Sequence, residues 1–509
     1  DDLWLKESFA DFMGAHAAVV AGGFPDAWVT FASRRKGWAY VQDQLPTTHP
    51  IVADIPDLEA AKLNFDGITY AKGASVLKQL VAFVGEEAFF RGARRYFADH
   101  AYGNTTLPDL LAALESASDR DLRAWSSAWL QTSGISRIAV EPVADGTLAL
   151  AQSDPRPHRL TVGLYGRDGD RLVRRRGIEL DVTAERTTLD ASLADEDIVL
   201  VVPNDDDRTY AKVRLDDAST DAAAAGLATI DDALARAVVW AALWDATRDG
   251  ELPVVRYLEI VRRHAPAEPN VALLADALAH ADAAIGHYAA AEARSDLAAQ
   301  WLEACWQALW TADAGSDAQL AWARAVAAAA SRCAGRAGEL RAILAGDAAG
   351  PDGLPLDHEL RWMWLTALSA TGRLTTAEAD AERDADPSSQ GRTAHLTVLA
   401  ARPDSAVRAA AWHAAWDDQS LTNERLSATI AGVRAGDARR FLAEFDTEYF
   451  ARIAPTWASR SIEIARRLVV GLFPASDSLD LVDAWLAEHA DAPGALRRLV
   501  IEQRDGLAR

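Results

Sequence analysis

The chain has 509 residues, half of them hydrophobic and a quarter charged, and its 75 Asp and Glu outnumber 52 Lys and Arg to leave a net charge of −23. That length exceeds a single hydrophobic core and calls for about three or four domains. The acidity excludes nucleic acid and anionic lipid as electrostatic partners. The most apolar stretch, Ala233 to Trp244, is broken by Arg236 and falls short of the roughly 18 residues of a membrane span.

Residues 1 to about 135 read as helices separated by turns. The start, Asp1-Asp2-Leu3-Trp4, has neither a Met nor signal-peptide character and opens in mid-pattern, so the chain is expected to be a fragment. Leu5, Phe9, Phe12 and His16 mark one stripe of a first helix, and a second is expected from Ile68 to Val84. Others are expected over Glu86 to His100, Leu107 to Ser116 and Leu122 to Leu130. Thr106 has the character of an N-cap with Pro108 in the first turn, and Gly134 marks a stop.

From about 137 to 215 the hydrophobic period changes to two. Arg137 to Val143, Arg159 to Tyr165 and Tyr210 to Leu215 alternate, and Ile198 to Val202 reads as a buried strand ending at Pro203-Asn204. Arg167-Asp168-Gly169-Asp170 is a hairpin signal. Such strands predict a small β-sandwich of about 80 residues.

From about 218 onward, Ala-rich helical segments alternate with breaks such as Arg248-Asp249-Gly250, Ala265-Pro266 and Ala385-Asp386-Pro387. They predict an all-α domain, either a degenerate helix-pair solenoid or an irregular helical array. The expected division is therefore 1–135, 136–216 and 217–509. Cys305 and Cys333 lie away from any His at metal-ligand spacing. They read as buried free thiols of a reducing, cytoplasmic compartment.

Two polar residues stand out. Glu7 shares its helix face with Leu3, Trp4, Ala10, Asp11 and Gly14, so large apolar groups flank it on one turn and small ones on the next. A carboxylate buried there needs a charge partner or a metal. Helical geometry alone favours the plainer alternative, a solvated glutamate or one paired with Lys6. Tyr70 begins the second helix, and its phenol can stabilise an oxyanion if it faces a cleft. Spacing alone favours a core tyrosine, since Tyr70, Ala74, Leu77 and Val81 share a stripe.

Both residues lie in segments that resemble a known family. Leu3-Trp4-Leu5-Lys6-Glu7-Ser8-Phe9-Ala10 is similar to the "LWLNEGFA" segment of the aminopeptidase N family of gluzincin peptidases, with Lys6 and Ser8 where Asn and Gly are common. Phe65 to Leu77 resembles its "FDxIxYxKGAxVL" segment. The resemblance continues through Thr48 to Ile51, Arg91 to Phe97, Ala101 to Thr106 and Trp125 to Gly134. Pro203-Asn204 and Tyr210 to Val213 also fit, as does Asp232 through Trp240 and Trp244, particularly to actinobacterial members.

The resemblance implies a multidomain, mainly α fold. Its parts are the helical C-terminal part of a thermolysin-like peptidase domain, a β-sandwich and an all-α HEAT/ARM-like domain. It implies one zinc ion held by Glu7 and two His, with Tyr70 stabilising the transition state. The implied activity is release of N-terminal residues from peptides with a free N-terminus, by a cytoplasmic monomer. Neither the family's His-Glu-x-x-His motif nor its GxMEN strand occurs in the chain; His358-Glu359-Leu360-Arg361-Trp362 begins like the former but ends in Trp. Both are expected upstream of Asp1, so the chain by itself is expected to be inactive. His49, His100 and His395 lack ligand spacing and read as structural or solvated. The competing reading is a non-catalytic helical scaffold that carries a peptidase remnant. A His-Glu-x-x-His motif upstream of Asp1 discriminates between the two.

Overall fold

The computed structural model describes residues 2–53, 55, 62, 64–143, 147–192, 197–476 and 478–509; Asp1, where the N-terminal reading begins, lies outside them. They are mostly helical, with strands between Arg137 and Arg214. The chain forms two compact units, Asp1–Ala277 and Leu278–Arg509.

The first unit opens with α1 (Leu3–Val20), a one-turn helix (Ala27–Thr30), a π-helical turn (Phe31–Arg35) and α2 (Lys36–Asp43). A second π-helical turn (Ile68–Lys72) leads into α3 (Gly73–Val84), followed by α4 (Glu86–Asp99), α5 (Leu107–Glu115) and α6 (Arg123–Leu130). The expected stripe of α1 needs correction. The helix buries Trp4, Glu7, Ser8 and Phe12, while Leu5 and Phe9 are only partly buried. Trp4, Ser8 and Phe12 recur every four residues, and the small Ser8 lets another helix close in between the two aromatics. Asp109 Oδ2 accepts the Thr106 N–H at 2.8 Å and Pro108 sits in the first turn, so α5 starts where the sequence indicates.

Two sheets follow, formed by β1 (Arg137–Pro142), β2 (Thr147–Ser153), β3 (His158–Asp168), β4 (Arg171–Val182), β5 (Arg186–Ser192), β6 (Ile198–Val202) and β7 (Lys212–Arg214). Their orders are β5-β2-β1-β7 and β4-β3-β6. Ile138 and Leu150 of one sheet share a core with Leu160, Val162 and Val201 of the other. The β3–β4 hairpin closes beside Gly169, which takes a positive φ of 58°. Arg174, Arg175 and Arg176 break the alternation of β4, which hides that strand from a period-two reading. β7 is shorter than Tyr210 to Leu215 because Tyr210 and Ala211 turn toward the helices, where Tyr40 donates to the Ala211 carbonyl at 2.8 Å.

Further polar contacts hold the strands and helices of this unit together. Trp129 Nε1 donates to the Pro157 carbonyl at 2.9 Å, and Lys36 pairs with Asp207. Lys212 and Arg214 reach Asp249 and Glu251, just beyond the helix α7 (Ala233–Arg248). The positions 135/136 and 216/217 thus both fall inside the first unit.

His158 carries a pH prediction. It is buried, with Nδ1 2.8 Å from Thr209 Oγ1 and its ring edge-on to Trp129. Burial, reinforced by the nearby Arg156 charge, pushes its pKa from 6.5 down to about 3. The unfolded chain therefore takes a proton that the folded one refuses. Stability from this group is complete above pH 6.5 and is lost as pH falls from 6.5 toward 3. Linkage puts the loss between pH 7 and pH 5 at about 2 kcal/mol. Chemical denaturation at the two pH values should show this difference in the wild type and lack it in His158→Phe. An equal drop in both proteins contradicts the assignment.

The second unit has no strand among its described residues, its helices running on to Gly494–Ala508. Of its two cysteines Cys305 is buried, whereas Cys333, expected to be buried, is only partly so because it precedes a short 3-10 turn instead of lying inside a helix. Ser316, Asp357, Ser388, Asp404, Thr422 and Ser461 each cap a helix N-terminus with a side-chain oxygen. Trp412, Trp416, Tyr449 and Trp485 lie in one core, and Trp362, Leu365 and Val398 in another. The buried Arg408 satisfies helix-end carbonyls of Ala401, Arg402, Gly432, Val433 and Ala435. His358 and Glu359 begin a helix, where His358 Nδ1 lies 3.4 Å from the buried Glu382 Oε1 and Glu359 pairs with Arg324. No helix among the described residues is long and apolar enough to cross a membrane.

Candidate active site

The site is organised by the π-helical turn Ile68–Lys72. Its Lys72 N–H reaches back five residues to the Gly67 carbonyl, at 2.9 Å, instead of the four of an α-helix. One extra residue rotates the preceding side chains by about 100° relative to the helix that follows. The expected core stripe is corrected accordingly. Ala71, Ala74 and Leu77 line the core, whereas Tyr70 is turned off that stripe and is partly exposed.

Ser8 of α1 donates to the Thr69 carbonyl, so the turn packs against the helix of Glu7. Glu7 is 8% exposed, and Lys6 Nζ lies 3.3 Å from its Oε1. Partial burial raises the Tyr70 pKa, and the Glu7 carboxylate raises it further against the opposing pull of Arg35. The phenol therefore stays protonated at neutral pH and is a donor. Around it, Trp38 and Phe65 each place a ring 6.3 Å from that of Tyr70. Arg35 stacks on Trp38 at 5.0 Å and pairs with Asp11 at 2.7 Å.

The turn is held from below. Lys72, fully buried, places Nζ 2.8 Å from Asp43 Oδ2 and 3.1 Å from the Gly134 carbonyl. Asp43 also accepts from Thr48 Oγ1, the Gly134 N–H and the Tyr210 hydroxyl, at 2.6, 2.9 and 3.2 Å. At the start of the turn, Asp66 Oδ1 accepts the N–H groups of Ile68 and Thr69 at 3.0 and 3.1 Å. Its Oδ2 lies 2.9 Å from His49 Nε2, which gives His49 a structural place. His395 pairs with Asp380 in the second unit.

Glu7 has the chemistry of one zinc ligand, a buried carboxylate beside a hydrogen-bond donor. A zinc site takes about three protein ligands. No group of three or more His, Cys, Asp or Glu able to hold a metal occurs among the described residues. These residues do not by themselves make a zinc site.

Sequence reasoning singled out Tyr70 and Glu7, whose neighbours Thr69 and Ser8 are hydrogen-bonded to each other. It missed Asp43 and Lys72, which form the buried pair beneath the turn, and Arg35 and Trp38 beside the phenol. Lys72 is the lysine of the Phe65 to Leu77 segment that carries the family resemblance, and that was its signal. Asp43 carries none, since its partners lie far along the chain.

Residues 1–129 match the peptidase family M1 domain, and residues 200–509 match the ERAP1-like C-terminal domain. The chain belongs to the M1 peptidase family. Within that family it is 45% identical to the aminopeptidase N of Streptomyces lividans, over all of this chain and 62% of that protein. It thus spans less than two thirds of that relative's length. A leucyl aminopeptidase of Saccharolobus solfataricus is 37% identical over 28% of this chain and 18% of its own. The tricorn protease-interacting factor F2 of Thermoplasma volcanium is 37% identical over 26% of this chain and 17% of its own.

Proposed function

We propose that this M1 family chain is part of a zinc-dependent aminopeptidase that releases N-terminal amino acids from peptides. The observation that carries the reading is the Tyr70 phenol, turned off the core stripe by a π-helical turn that is bonded to α1, the helix of Glu7. In this reading Tyr70 donates a hydrogen bond to the oxyanion formed when the scissile carbonyl is attacked. Glu7 is one ligand of a single zinc ion, and two His from outside residues 1–509 are the others. Zinc, when bound, supplies Lewis-acid polarisation.

The same reading assigns 1–135 to the C-terminal part of a thermolysin-like domain, 136–216 to a β-sandwich and 217–509 to a HEAT/ARM-like helical domain. It describes a cytoplasmic monomer acting on peptides with a free N-terminus. Free thiols at Cys305 and Cys333 support the reducing compartment.

Turnover of an aminoacyl anilide by the full-length protein tests the proposal. Cleavage should require a free amino group, stop on chelation and return with zinc. Residues 1–509 alone should show neither turnover nor stoichiometric zinc, because one carboxylate falls well short of the usual ligand set. Equal cleavage of an N-acetylated substrate would overturn the aminopeptidase assignment, and no cleavage by the full-length protein would favour the scaffold reading.

A further inference from the structure

Ser8 is fully buried on α1, next in sequence to Glu7. Its hydroxyl donates to the Thr69 carbonyl at 2.6 Å, inside the π-helical turn that carries Tyr70. Against it stands Gly73, where a Cβ would lie 1.9 Å from Ser8 Oγ and 2.8 Å from Ser8 Cβ. Glycine is required at 73 because α1 and the Tyr70-bearing helix meet through Ser8, with no room for a methyl group.

A π-helical turn is an unfavourable insertion that persists where its surroundings over-determine it. Asp66 holds the start of this turn, and Lys72 ties its end to Asp43 of α2. Ser8 ties its middle to α1, the helix of Glu7. The hydrogen bond lies in a dry contact, where directional bonds constrain geometry most.

We propose that Ser8, seated against Gly73, is a positioning residue that fixes the π-helical turn and with it the direction of the Tyr70 phenol. Its catalytic consequence rests on the aminopeptidase reading above. Without the Ser8 hydroxyl the turn is free to relax toward α-helical pitch, which swings Tyr70 back toward the core stripe.

Two readouts test this in the full-length protein. Ser8→Ala should lower kcat roughly tenfold while KM stays within about twofold, because the ground-state binding surface is untouched. The second readout is 3-fluorotyrosine placed at position 70 and followed by fluorine NMR at neutral pH. Its chemical shift should differ between the wild type and Ser8→Ala, because the ring leaves its place beside Trp38 and Phe65. Gly73→Ala should produce the same pair of changes by pushing Ser8 away. The double variant Ser8→Gly/Gly73→Ala refills the space but lacks the hydroxyl, and should keep the defect. Recovery of wild-type kcat and chemical shift in that double variant would reduce Ser8 to packing and overturn the inference. An unchanged chemical shift in Ser8→Ala would overturn it as well. A moved chemical shift together with normal turnover by Tyr70→Phe supports the positioning and removes the catalytic role of Tyr70 instead.

Discussion

Tyr70→Phe in the full-length protein is expected to lower kcat by roughly 10²–10³, equivalent to about 2.7–4 kcal/mol of barrier. The substitution removes one hydroxyl and leaves the ring between Trp38 and Phe65. If that hydroxyl acts on the developing oxyanion alone, kcat and kcat/KM fall together. Zinc content should stay unchanged, because the phenol is not a proposed ligand. Glu7→Gln should behave differently. It weakens the proposed metal site, so excess zinc should restore part of the activity. The two variants separate a donor from a ligand. Near-normal turnover by Tyr70→Phe would withdraw the assignment of Tyr70 while leaving the family membership intact.

Asp43→Ala is expected to destabilise the first unit by about 3–5 kcal/mol, the usual cost of leaving one member of a buried ion pair alone. Lys72 would remain fully buried with its charge unmatched, and the Tyr210 hydroxyl and Gly134 N–H would lose their acceptor. Burial already lowers the Lys72 pKa in spite of Asp43. Without the carboxylate it should fall further, so the folded state would release its proton before the unfolded one does. Between the lowered folded pKa and the unfolded value of about 10.4, the unfolded chain then holds more protons, and stability rises with pH. Chemical denaturation at pH 7 and pH 9 should show the variant recovering relative to wild type at the higher value. Adding Lys72→Met to Asp43→Ala should recover much of the loss, since no buried charge remains. A loss under about 1 kcal/mol in Asp43→Ala would mean that water reaches Lys72 and that the pair does not anchor the turn.

The sequence alone determined what depends on local order. Helical and β-strand periods separate at Arg137 and again near Asp216, because side-chain burial repeats with the period of the backbone. The N-cap Thr106 with Pro108 in the first turn, the glycine of the β3–β4 hairpin and the motif segments around Glu7 and Tyr70 were legible for the same reason. Where alternation failed, as in the arginine run of β4, the strand was not legible. Only the tertiary structure decided which way Tyr70 points. A regular helix from Ile68 to Val84 puts it on the core stripe with Ala74 and Leu77. The π-helical turn cancels that, and its cause lies outside its own segment. Ser8 enters from α1, Asp43 from α2 and Gly134 from beyond α6, and each supplies a contact that a single extra backbone residue needs in order to persist. The free energy of such a turn is set by partners distant in sequence, and no local pattern encodes them.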